Sequence, residues 1–191
     1  EVDGYAEEGA RSTALTFDDQ TRTSKRLGFG FQGNWMLGAN TQVFAEIARE
    51  KEWYAQCGVA DTVSGRFDMI TLILSIVLLR MENDPDLAEP SVRLTELFVD
   101  DMDGQLRESG VGDVIVGKRV GQLMSVLGGR LGAYRDALAT GDETAMAEAI
   151  SRNVTLHEGT DPLPITRRVR AFAAGLALVP AFRVLDAEIG K

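Results

Sequence analysis

The sequence predicts an all-α fold, a compact multi-helix bundle carrying an N-terminal appendage that is β-hairpin-like or disordered. Three observations predict it. The run Met69 to Leu79 is apolar around most of a helical circumference, and Leu94, Phe98, Met102 and Leu106 recur every four residues. Ahead of residue 40 the apolar period changes to two. A length of 191 residues with 45% hydrophobic and 26% charged residues suits one globular unit and an appendage, placed at 41–191 and 1–40.

From Arg26 to Leu37 the chain alternates, with Leu27, Phe29, Phe31, Trp35 and Leu37 on one side and Gly28, Gly30, Gln32 and Asn34 on the other. This is strand patterning with one apolar face, and Gly38-Ala39-Asn40 supplies a turn. Thr13 to Phe17 reads as an earlier strand. Between Thr41 and Cys57 the positions Val43, Phe44, Ile47, Ala48 and Tyr54 take helical spacing behind a Thr41 cap.

Asp61 or Thr62 caps the next helix, which runs to about Met81 and ends before Asn83-Asp84-Pro85, because Pro restricts the residue ahead of it. An amphipathic helix follows over roughly Ser91 to Ser109. Asp103 and Arg107 form an i,i+4 pair on its polar side, whereas Asp101 is rotated toward the apolar stripe. A carboxylate there needs a cation or donors, and Arg66 or Lys118 is the expected partner.

Gly110-Val111-Gly112-Asp113 closes that helix and opens another. The glycines permit positive φ, and Asp113 accepts from free amides. The new helix, Val114 to about Leu138, carries a seam of Val116, Val120, Leu123, Leu127, Leu131 and Tyr134, flanked by Gly117, Gly121, Ser125, Gly128 and Gly132. Each interior Gly costs roughly 0.5–1 kcal/mol relative to Ala, so close approach of another helix is the expected compensation. That helix belongs either to the same chain or to a client seated in a groove. Thr140-Gly141-Asp142 and Glu143 open a shorter helix to about Val154, and a final pair spans Ile165 to Val179 and Ala181 to Ile189.

Several function classes are excluded or weakened by composition. A net charge of −9 disfavours nucleic acid and anionic lipid as main partners. Charge is segregated: Glu82 to Asp113 is strongly acidic, while Thr166 to Arg183 holds Arg167, Arg168, Arg170 and Arg183 with no acid. Cys57 and His157 are each the sole residue of their type, which removes disulfide, zinc and multi-histidine sites, so no metal or cofactor is expected. Gly110-Val111-Gly112 lacks the preceding strand of a phosphate loop, and Asp113 repels an anion. Acids near Arg66 and Lys118 offer no nucleophile-base pair for an enzyme. The eleven-residue run Met69 to Leu79 is about half the ~20 residues that cross a bilayer. The opening Glu1-Val2-Asp3 lacks the basic start of an export signal, and the missing initiator Met reads as a fragment.

Linked motifs run through the second part of the chain. These are Trp53-Tyr54-Ala55-Gln56-Cys57-Gly58-Val59-Ala60-Asp61-Thr62, Gly65-Arg66-Phe67-Asp68, and Met102-Asp103 through Leu106-Arg107-Glu108-Ser109-Gly110-Val111-Gly112-Asp113 to Val116-Gly117-Lys118-Arg119. With them, residues 53–191 resemble the ubiquinol-cytochrome c chaperone family. Positions matching its pattern are Asp61, Arg66, Asp68, Asp103, Arg107, Glu108, Gly110, Gly112, Asp113, Gly117 and Lys118. The resemblance implies an all-α, non-enzymatic chaperone without catalytic residues, which binds newly made cytochrome b and supports assembly of ubiquinol-cytochrome c reductase. It implies a cytoplasmic protein, or one peripheral at the inner membrane, with ribosome contact in mitochondrial members and no specific nucleic acid.

Asp103, Arg107, Glu108, Lys118 and Arg119 are the expected partner contacts. Asp61, Arg66, Asp68, Asp101, Gly110, Gly112, Asp113, Gly117 and Gly121 are expected to act structurally, as caps, ion pairs and close-packing glycines. Residues 1–52, including Leu37-Gly38-Ala39-Asn40-Thr41-Gln42-Val43-Phe44, are similar to late strands of an autotransporter outer-membrane barrel. Two or three strands cannot close a barrel in lipid. The alternative functions are therefore a barrel fragment with the helical part as fused passenger, or a helical interaction module with another client.

Overall fold

The computed structural model describes the backbone of residues 44–108 and 113–185, and the side chains of 44–102 and 121–185. The described chain is helical, and its one isolated β-bridge joins Val59 to Leu156 in antiparallel fashion. The appendage expected over 1–40 lies outside the described residues, as do Thr41, Gly110 and Gly112. So do the side chains of Asp103, Arg107, Glu108, Asp113, Lys118 and Arg119, and the surroundings of Gly117.

Two short helices, α1 (residues 44–48) and α2 (Lys51–Ala55), replace the single helix expected up to Cys57. The break lies at Arg49 and Glu50, and its physical reason is tertiary. The indole Nε1 of Trp53 donates to the Ile47 carbonyl at 2.8 Å, and the Tyr54 hydroxyl donates to Ala48 O at 2.9 Å, so α2 folds back on α1. Phe44, Ala45, Ala48 and Trp53 are buried in the common core. Arg168 lies 4.4 Å over the Trp53 ring and pairs with Glu50 at 2.5 Å, which ties this segment to the C-terminal part of the bundle.

The central helix α3 (Val63–Glu82) starts at Thr62, whose hydroxyl accepts from Gly65 N at 3.1 Å. It is buried on every side, from Met69 through Met81 with only Arg80 partly open, as a run apolar but for Thr71, Ser75 and Arg80 requires. Thr71 and Ser75 are tolerated there because both hydroxyls donate to carbonyls of the preceding turn. A 3₁₀ turn, Pro85–Leu87, reverses the chain, with Asp84 accepting from Asp86 N. Helix α4 (Ala88–Glu108) then lays Leu94, Phe98 and Met102 onto the core.

Helix α5 (Asp113–Thr140) contributes Leu127, Tyr134 and Ala137. Gly141 adopts φ +68° after it, and Asp142 caps α6 (Glu143–Asn153) by accepting from Thr144 N at 2.9 Å. The segment after α6 returns to the start of α3: Ala60 N donates to Thr155 O, and His157 N donates to Gly58 O, both at 3.0 Å. Helices α7 (Leu163–Ala177) and α8 (Ala181–Leu185) close the bundle, with α7 packed on α3 and α6.

Candidate functional site

An ionic junction lies in the interior of the described bundle. Asp68, in the second turn of α3, is nearly buried, yet both carboxylate oxygens have donors. Arg130 Nη2 of α5 donates to Oδ1 at 2.5 Å, while Thr155 donates to Oδ2 through its amide at 3.0 Å and its hydroxyl at 2.7 Å. The second guanidinium amine of Arg130 donates to Thr71 Oγ1. The Arg130 guanidinium also lies 5.9 Å from the Phe67 ring centre. Three elements therefore meet on one carboxylate, which fixes α5 and the loop after α6 against α3. This arrangement positions helices.

Gly65 reinforces the same corner. A Cβ on it would come 2.0 Å from the Ala60 carbonyl oxygen, so the first turn of α3 can press on the backbone only as glycine. Asp61 sits just outside, paired with Arg66 at 2.6 Å, and that hydrogen bond holds its carboxyl below the usual range. The expected pairing of Arg66 with Asp101 is thus corrected: helical geometry delivers Arg66 to the Asp61 cap region. Asp101 is buried, and its Oδ2 accepts no hydrogen bond among the described residues. Burial first, and Asp100 second, push its carboxyl up to about 7. Lys118, the other expected partner, lies outside the described side chains.

Cys57 and His157 come close in backbone terms, because His157 N bonds to Gly58 O. The side chains do not form a reactive pair: the thiol is buried beside Arg168 and pushed up by burial, whereas the imidazole is exposed. Among the described residues, no group of three His, Cys, Asp or Glu side chains is placed to hold a metal.

The outer surface of α5 is the second feature. Gly121, Met124, Val126, Gly128 and Gly129 are exposed, and a Cβ on Gly121, Gly128, Gly129 or Gly132 would meet nothing within 4 Å. Among the described residues no neighbour packs closely on these four glycines, Gly121 included, while Leu127 and Tyr134 of α5 are buried in the common core. Among the described residues the glycine face is left open. Beside it runs a cleft of about 350 Å³ between α3, α4 and α5, with Leu78, Val92, Met124 and Leu131 in its walls and Glu82 and Glu96 along them. Val92 is 56% exposed.

Of the residues expected from sequence, the structure brings Asp61, Arg66, Asp68 and Gly65 together at the start of α3. It leaves Asp101 apart on α4. Arg130 and Thr155, which complete the junction, were not expected. One signal did mark Arg130: no acid lies three or four residues away on its own helix, so its counter-charge has to come from another element.

Comparison with known proteins places these features in a family context. The family model described as ubiquinol-cytochrome C chaperone matches residues 55–181, about two thirds of the chain. The crystal structure of the Cbp3 homolog from Brucella abortus is similar, with TM-score 0.71 and 31% identity, covering 81% of this chain and 87% of that one. Curated sequence relatives are matched over a much shorter stretch. Esterase EstA of Pseudomonas aeruginosa is 60% identical over 53 residues, 28% of this chain and 8% of the esterase. An uncharacterized protein in the trpE-trpG intergenic region of Pseudomonas putida is 58% identical over 52 residues, 27% of this chain and 9% of that protein. The chain thus spans less than a tenth of the length of these curated relatives.

Proposed function

Because the chain belongs to the ubiquinol-cytochrome C chaperone family, we propose that it is a non-enzymatic assembly factor that binds newly made cytochrome b and supports assembly of ubiquinol-cytochrome c reductase. The observation that carries the reading is the open glycine face of α5 beside the α3–α4–α5 cleft. Glycines that meet nothing among the described residues keep a helix surface low, so a second helix can approach the backbone closely. An apolar client segment then lies along Met124 and Val126 and places side chains against Val92. Asp103, Arg107, Glu108, Lys118 and Arg119 fall at the adjoining end of α4 and the start of α5, where they contact the polar flanks of the client.

In this reading 41–191 is the chaperone domain and 1–40 an appendage to it. No helix among the described residues is long and apolar enough to cross a membrane. The location that goes with the proposed client is the cytoplasm, or the surface of the inner membrane where cytochrome b is inserted. The short match to an esterase, 8% of that enzyme's length, lends no support to hydrolysis.

The test is genetic. Deleting the gene lowers spectroscopic cytochrome b and ubiquinol-cytochrome c reductase activity, and the full chain restores both. Unchanged cytochrome b in the deletion strain defeats the proposal.

A further inference from the structure

A second cleft, between α3, α5 and α7, lies apart from the glycine face and has a different chemistry. Its volume is about 330 Å³, and its apolar walls come from Ile76, Leu79, Leu138 and the alanines of α7, Ala173, Ala174 and Ala177. Two arginines, Arg80 and Arg170, share that lining with Asn83, and no acid does.

Neither arginine is fully satisfied. Arg80 donates from Nη2 to Val179 O at 2.9 Å and lies 3.6 Å from an Asp84 oxygen, but its buried Nε has no hydrogen-bond partner among the described residues. Arg170 is barer: its Nη1 is buried without a partner, and it forms no ion pair among the described residues. A buried guanidinium donor left unmade is costly, more so for a charged group than a neutral one. In a chain of net charge −9, two such donors in one apolar slot call for an anion supplied from outside.

We propose that this slot binds a single-chain amphiphilic carboxylate of the fatty-acid class. The carboxylate lies between the guanidinium groups of Arg80 and Arg170 that line the slot, and Asn83 stands in the same lining. The aliphatic chain lies against Ile76, Leu79 and the small alanine surface of α7. The slot is small and open at one side, which suits one medium aliphatic chain. Leu178, 85% exposed, and Phe182, 61% exposed, follow directly on α7 and give the tail an apolar exit beside Val179, the residue that Arg80 holds.

Titrating the purified full chain with decanoate, decanol, decyl phosphate and acetate tests the proposal by calorimetry. Decanoate is expected to bind at one site and raise Tm. Decanol and acetate should each bind at least roughly tenfold more weakly, since one lacks the charge and the other the chain. Arg170→Met weakens decanoate roughly tenfold or more, and Ala174→Phe, which fills the slot from the same α7 wall, blocks it. Both variants are checked for unchanged helical circular dichroism, and a misfolded member of the pair leaves the other to decide. Decanol binding as tightly as decanoate, decyl phosphate binding while decanoate does not, or full decanoate affinity in a folded variant would each overturn the assignment.

Discussion

Arg130 and Asp68 stand 62 residues apart in sequence and meet at 2.5 Å, each side chain only 11% exposed to solvent. The carboxylate is further satisfied by Thr155, so the pair is hydrogen-bonded on both oxygens. Removing one partner from such a pair leaves an uncompensated charge in the interior, which costs about 3–5 kcal/mol. Arg130→Met is therefore expected to lower the unfolding free energy by that amount in urea denaturation. Thr155→Val, which removes one hydroxyl donor and keeps the amide, costs only about 1–2 kcal/mol. Equal losses for the two variants would contradict the ranking.

The glycines of the two helices respond in opposite directions to the same substitution. Gly65→Ala drives a methyl against the Ala60 carbonyl oxygen at the start of α3 and costs about 1–3 kcal/mol through displaced backbone. Gly128→Ala meets open space in mid-helix and raises stability by about 0.5–1 kcal/mol. Thermal unfolding of the pair checks both signs. Destabilisation by Gly128→Ala would mean that the open face is packed after all.

Most helix boundaries were readable because local chemistry sets them: Thr62 and Asp142 cap, Pro85 stops, and the stripe of Leu94, Phe98 and Met102 repeats at helical spacing. The break between α1 and α2 was not readable, since it depends on Trp53 and Tyr54 folding back to carbonyls six residues earlier. Asp68 was singled out, but its partners were not, because contacts over 62 and 87 residues leave no periodic trace. The glycines of α5 were legible as a call for close approach. Periodicity cannot say whether the approaching helix belongs to the same chain; that depends on the space around Gly121 and Gly128, which is open among the described residues.

Asp101 gives the fold a pH dependence of definite sign. Its carboxyl is pushed up to about 7 in the folded state by burial, against an ordinary value of 3.8. Between those values the folded chain holds a proton that the unfolded chain has released, so stability falls as pH rises from about 4 to about 7. At ~1.4 kcal/mol per pH unit this contribution reaches roughly 2–4 kcal/mol. Asp101→Asn keeps the shape without the charge and is expected to flatten that part of the stability–pH curve and to stabilise the protein at pH 8. A variant that tracks the parent across the range would place the Asp101 carboxylate in contact with a cation.

If client helices dock on α5, a charge placed on its open face has to damage binding without damaging the fold. Met124 and Val126 are exposed, so Met124→Glu and Val126→Glu change stability by no more than about 0.5 kcal/mol each. Against an apolar segment the same carboxylates lose their water with no partner in return, which costs well over the ~1.4 kcal/mol that corresponds to tenfold weaker binding. The expected result is that the double variant purifies as a folded helical protein, yet recovers at least roughly tenfold less cytochrome b in co-purification from membranes and fails to restore the enzyme in the deletion strain. Arg167→Gln, which loosens only an exposed pair with Glu143 between α7 and α6, serves as the control and retains both. Undiminished recovery with the double variant would move the client surface away from α5 while leaving the family assignment intact.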